Sequence, residues 1–271
     1  MPQRSMLASV LGFTVAAVGL AAGAQGAAPQ PALAAAYEPP IVLTHEEPHH
    51  RQVFQYGPTR ILDLRIPPND VTWYHTHEWP VLYVSFSNSQ TRMDTLGQEA
   101  QAARDGAGAA PRGAGPRPAG APAGARGGPG QPAGPRATST TGYFERPVTH
   151  RLANVGTNLV RAMVVINETA GDDTTSEQAA GFEGTPELTN KWFRSYRRTL
   201  QPGESSTSHG HGAPVAIVQA TTGKGLAEGG MKFELNETGQ WAFFDAGVPH
   251  TLRNVGDTPL ELLEIEVRLP R

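Results

Sequence analysis

The sequence predicts an all-β protein in which one sandwich or barrel is built twice. Two observations carry this. Short apolar runs recur with Gly/Pro turns between them, and no long amphipathic helix interrupts them. The chain also matches itself. His75-Thr76-His77-Glu78-Trp79-Pro80-Val81 returns as His209-Gly210-His211-Gly212-Ala213-Pro214-Val215, at an offset of 134 residues. His150-Arg151-Leu152-Ala153-Asn154-Val155-Gly156 returns as His250-Thr251-Leu252-Arg253-Asn254-Val255-Gly256, at an offset of 100. The offset shrinks by about the length of a low-complexity tract at 99–136, so the first copy carries that tract as an insertion.

The elements follow in chain order. Arg4, an uncharged run from Met6 to Ala24 and a small-residue exit read as a cleavable secretory signal over 1–26. The mature protein is therefore expected in the periplasm or outside the cell, with no membrane segment of its own. An N-terminal arm spans 27–40, and the first barrel 41–168. Strand candidates there are Arg60–Ile66, Val81–Phe86 and Leu159–Ile166. The insertion, almost all Gly, Ala, Pro and Arg, offers nothing to bury and reads as a disordered loop. A polar linker over 169–190 leads to the second barrel, 191–271, with candidates Pro214–Ala220, Gln240–Phe244 and Leu260–Leu269. The last strand alternates Glu264, Ile265, Glu266, Val267, which assigns one face to the core and one to water.

Composition excludes several chemistries. The 271 residues contain no Cys, which removes disulfides, thiolate metal sites and cysteine nucleophiles. A net charge of −3 provides no basic field for nucleic acid. No Ser-His-Asp arrangement or phosphate loop stands out.

Histidine carries the positive signal. Six of the nine sit at repeat-equivalent positions: His75, His77 and His150 in the first copy, and His209, His211 and His250 in the second. Two residues apart on a strand, a pair of imidazoles shares one face. A third from a later strand in both copies points to a metal site. An inherited core constellation without metal is the bland alternative. His45, His49 and His50, in THEEPHHRQ, read as a polar arm or as contacts over a barrel mouth, with a Cu or Ni site as the sharper option. Trp73 and Trp79 read as core, with aromatic stacking on a substrate as the alternative. Asn154 and Asn254 read as satisfying backbone groups in the turn after the third His.

These residues resemble the cupin superfamily, with first motif G-x5-H-x-H-x3,4-E-x6-G and second motif G-x5-P-x-G-x2-H-x3-N. The second copy has Gly203, His209, His211, Gly239, Gly247, His250 and Asn254 in place, with Asp245 at the motif Pro. The first copy has Asn69 for the opening Gly, then His75, His77, His150 and Asn154, with Pro147 for the second-motif Gly. The resemblance implies two tandem double-stranded β-helix (jelly-roll) barrels, a bicupin, with edges that pair into a homodimer. The motif Glu is missing from both copies: Val81, Leu82, Val215 and Ala216 occupy its positions, and Glu78 points to the wrong face.

Three neutral imidazoles per barrel are therefore expected, similar to the three-histidine cupin dioxygenases. Such a site keeps the full +2 charge and leaves three cis positions in an octahedral shell for a chelating oxyanion and O2 or water. The ligands alone leave Fe, Mn, Cu, Ni and Zn open. The expected activity is a metal-dependent dioxygenase acting on a small oxygenated molecule. A non-catalytic cupin binding a metal or small ligand, or a cupin isomerase or lyase, are the alternatives.

Overall fold

The computed structural model describes residues 40–97, 135–172 and 184–270. The segment expected to be a signal (1–26) and nearly all of the expected arm, the body of the insertion and the centre of the linker lie outside the described residues.

The N-terminal barrel comprises β1 (Val42–Leu43), β2 (His50–Tyr56), β3 (Thr59–Ile66), β4 (His75–His77), β5 (Val81–Ser85), β6 (Thr91–Thr95), β7 (Ala137–Thr140), β8 (Val148–Asn154) and β9 (Val160–Asn167). They form a five-stranded sheet, β2-β3-β9-β5-β7, facing a four-stranded one, β1-β4-β8-β6. The C-terminal barrel comprises β10 (Leu188–Thr189), β11 (Phe193–Leu200), β12 (Val215–Gln219), β13 (Gly225–Gly229), β14 (Met231–Leu235), β15 (Trp241–Phe244), β16 (Thr251–Asn254) and β17 (Leu260–Val267). Its sheets run β10-β11-β17-β12-β15 and β14-β13-β16.

The duplication read from sequence is a duplication of register. Leu62 pairs with Val164 as Tyr196 pairs with Glu264, so the offsets of 134 and 100 hold along the strands. Where β4 pairs His75 with His150, the second copy keeps a single bridge between His209 and His250. The turn residues agree. Gly203 has a φ of 79°, and Asn69 in its place has a φ of 63°. Asn is the non-glycine residue best suited to that left-handed conformation, which explains the departure from the motif. Asn154 Nδ2 donates to the carbonyls of Ile66 and Asn158, as Asn254 Nδ2 donates to those of Leu200 and Thr258. Both asparagines close the turn after the third histidine.

Burial differs from the alternation argument in one place. Leu263, Ile265 and Val267 of β17 pack into a core shared with Ile61, Leu82, Val84, Met163 and Val165 of the first barrel. Leu260 and Leu262 face the interior of their own barrel. Glu264 and Glu266 share that inward face and are buried, so β17 has no water face. The arm reading also changes. His50 begins a strand, is buried, and pairs with Leu64 on the inner face of the N-terminal barrel.

Candidate metal centres

In the C-terminal barrel the bridge between His209 and His250 sets their strands side by side, and His211 follows two residues on. Glu264 comes from β17 on the opposite sheet. The Nε2 atoms of His209, His211 and His250 lie 2.6, 3.1 and 3.4 Å from Glu264 Oε2. Each Nδ1 is occupied behind the cluster. His209 donates to the Thr207 carbonyl at 2.9 Å, His250 to that of Val248 at 3.3 Å, and His211 to Glu266 Oε1 at 2.9 Å. Those bonds fix the ring orientations and turn each Nε2 toward Glu264 Oε2, the arrangement that metal-binding histidines need. Arg198 Nε donates to Glu264 Oε1 at 2.8 Å, and Arg194 Nη1 lies 3.4 Å from Glu266.

This corrects the expectation of three neutral imidazoles. The motif position is indeed empty of carboxylate, but Glu264 supplies one from another strand. Burial opposes its ionisation, yet hydrogen bonds from the three histidines hold its carboxyl well below the ordinary range. For His211 burial again opposes charge, while Glu264 and Glu266 raise its pKa. Phe244 stacks on His250 with ring centroids 4.6 Å apart, and Gly229 allows the close approach. A Cβ there would stand 2.7 Å from His250 Cβ.

The N-terminal barrel is built from imidazole alone. Val164 and Ile166 occupy the places of Glu264 and Glu266, both apolar. His75, His77 and His150 come together as the repeat predicts, with ring centroids 4.7–5.1 Å apart. His50, read from the sequence as part of an arm with His45 and His49, joins this cluster instead. One ring nitrogen from each of His50, His75 and His77 falls within 4.8 Å of the others, and His150 stands beside that group. Burial, then the neighbouring His50 and His150, lower His75 to about 3. Burial, then His50, lowers His150 to about 4, and His77 is pushed well below its ordinary value. His75 Nε2, both nitrogens of His77 and His150 Nδ1 are buried with no hydrogen-bond partner. Unpartnered buried ring nitrogens beside a group of three histidines with one ligand atom each within 4.8 Å fit a cation.

Of the other flagged residues, Trp79 and His45 line a cleft of about 30 Å³ that reaches His77, with Thr44, Thr76, Glu78 and Glu168. That volume holds a water or a molecule of similar size. His49 bridges Glu47 and Asp70 and stays outside the imidazole cluster.

Residues 196–266 match the family model described as Cupin domain. No curated protein matches the chain. Among solved structures, AerE from Microcystis aeruginosa is similar over 79% of this chain and 90% of its own, at 13% identity and a TM-score of 0.49. Oxalate decarboxylase from Bacillus subtilis is similar over 78% of this chain and 68% of its own, at 11% identity and a TM-score of 0.45. A cupin domain from Bordetella pertussis Tohama I covers 34% of this chain and 99% of its own, at 25% identity and a TM-score of 0.28. The matched residues run from β11 to β17 and enclose His209, His211, His250 and Glu264, so the C-terminal barrel is similar to a cupin domain.

Proposed function

We propose that this protein is an exported, two-barrel metalloprotein that acts as a metal-dependent oxidoreductase of the dioxygenase kind on a small, chelating oxygenated molecule. One observation carries the reading. Three imidazole Nε2 atoms and one carboxylate oxygen converge in the C-terminal barrel, with each Nδ1 occupied behind them. His209, His211, His250 and Glu264 suit a divalent transition cation, and a carboxylate widens the choice toward Mn and Fe. With these four residues as its protein donors, a bound divalent cation would keep capacity for a small chelating oxygenated molecule. A bound cation would supply Lewis-acid polarisation and, if redox-active, electron transfer. The chain itself does the rest. Glu264 lowers the net charge of the centre, Arg198 holds the second Glu264 oxygen away from it, and Phe244 keeps His250 in place. The apolar wall of Val215, Ile217, Leu252 and Leu262 limits water.

A second reading, a non-catalytic cupin that stores or is stabilised by its metal, is favoured by burial. The side chains of all four donors are 0% exposed. The two readings separate in one experiment. The mature chain from residue 27 is purified without chelator or affinity histidines, beside His209→Ala/His211→Ala. Metal content is measured, then O2 uptake with diketones, phenols and hydroxyacids. Metal lost in the variant together with substrate-dependent uptake supports the oxidoreductase. Metal without uptake leaves the second reading, and no metal at all removes both.

A further inference from the structure

The two barrels are copies in register, yet the place of the Glu264 carboxylate is filled differently in each. In the N-terminal barrel Val164 stands there, and Leu64 replaces Arg198. His50 enters from β2, paired with Leu64, on the same inner face. Its ring centroid lies 4.5 Å from that of His75 and 6.2 Å from that of His77. Its Nδ1 donates to Glu47 Oε2 at 2.7 Å, which turns Nε2 away from Glu47. Glu47 is 1% exposed and also accepts the backbone N–H groups of His50 and Trp73, so it ties His50 to the segment that leads into His75. A buried carboxylate that accepts from one ring nitrogen of a histidine is the usual support of a metal ligand. Opposite it, His75 Nε2 and both His77 nitrogens have no partner.

We propose that His50 is a metal ligand of the N-terminal barrel, joining His75 and His77 beside His150 in an imidazole-only centre that takes borderline cations, Cu(II) above all. The proposal rests on the metal-binding reading of the barrels. A centre without carboxylate favours Cu, Ni and Zn, whereas the Glu264 centre also accepts the harder Mn(II). The two barrels thus sort metals.

The test uses the mature full chain titrated with Cu(II), as wild type, His50→Gln and His209→Ala/His211→Ala. Copper content, affinity and the nitrogen superhyperfine pattern in the electron paramagnetic resonance spectrum are read. The wild type is expected to bind one copper in each barrel. His50→Gln should weaken one of them at least tenfold and remove one nitrogen from its pattern, leaving the other unchanged. An unchanged affinity and pattern in His50→Gln overturns the proposal. If copper disappears entirely from His209→Ala/His211→Ala, the proposal fails while the C-terminal centre stands. If no form binds copper, both fail. Should His50→Gln not fold, anomalous diffraction from copper-soaked wild-type crystals decides. A copper peak within bonding distance of His50 Nε2 supports the proposal, and a peak bound only by other residues overturns it.

Discussion

The donors whose roles are clearest are those whose surroundings leave them one choice. Glu264 touches three histidines through one oxygen and Arg198 through the other. Glu264→Gln should keep the size of the side chain but lose its charge and one acceptor oxygen, and metal content of the C-terminal barrel should fall by more than tenfold. Elemental analysis checks this, and unchanged content would show that the histidines suffice. Gly229 is constrained by space rather than by dihedral angle, since a Cβ would meet His250 Cβ, the Pro249 carbonyl and Phe244. Gly229→Ala is therefore expected to displace His250 and lower both metal content and stability, the latter by about 1–3 kcal/mol. Asn69 is the converse. Its left-handed backbone suits glycine better, so Asn69→Gly should be neutral or stabilising by up to about 1 kcal/mol in thermal unfolding. A loss larger than that would mean its side chain contributes more than its conformation costs.

Strands made the repeat legible, and one strand concealed the site. The H-x-H pairs and the later histidines stand in the sequence as a self-match, and the structure brings each trio together. The missing donors lie outside that match. Glu264 sits on a strand whose alternation suggests water on one side, yet Leu260 and Leu262 precede it on the same face. That pair was the available clue. Two carboxylates in line with two buried leucines face an interior, and a buried carboxylate needs partners. His50 was harder to place, because β10 repeats only the far end of β2, with Leu188 and Thr189 in register with Phe54 and Gln55, so the self-match never reaches His50, and only its pairing with Leu64 turns the ring inward. The opposite face of β17 makes its own prediction. Ile265 is 0% exposed between the two barrels, so Ile265→Ala should cost about 2–5 kcal/mol. Denaturant unfolding measures it. A cost below 1 kcal/mol would mean that the shared core closes over the cavity.

That shared core governs the behaviour of the whole molecule. The two five-stranded sheets bury Leu82, Val84 and Met163 against Phe193, Val218 and Ile265. Asn167 Nδ2 reaches across to the carbonyls of Trp192 and Arg268, and Tyr56 donates to Asp245. Neither barrel can open without exposing the other's outer face, so unfolding should be one cooperative step. The imidazole cluster then sets how that step responds to acid in the metal-free protein. His75 and His150 titrate at about 3 and about 4 in the fold, and near 6.5 once unfolded. As pH falls through 6.5, the unfolded chain takes up protons that the folded chain refuses, so stability drops until the folded values are reached. Glu47, opposed by burial but held down to about 2 by His50 and His49, acts in the same sense below its ordinary 4.5. His211 works the other way. Its raised pKa contributes stability below 6.5 that is lost on going to higher pH. The balance sets His45, His75, His77, His150, Glu47, Asp70, Asp94 and Glu264, which lose stability in acid, against His49 and His211. The thermal midpoint of the metal-free chain should fall steadily from pH 7 to pH 4, as a single transition. Zn(II) should raise it most at pH 7, where the imidazoles compete least with protons. Two separate transitions would show that the barrels unfold independently. A midpoint that is flat across this range would show that the histidine cluster takes up protons in place, its rings open to water in the folded state.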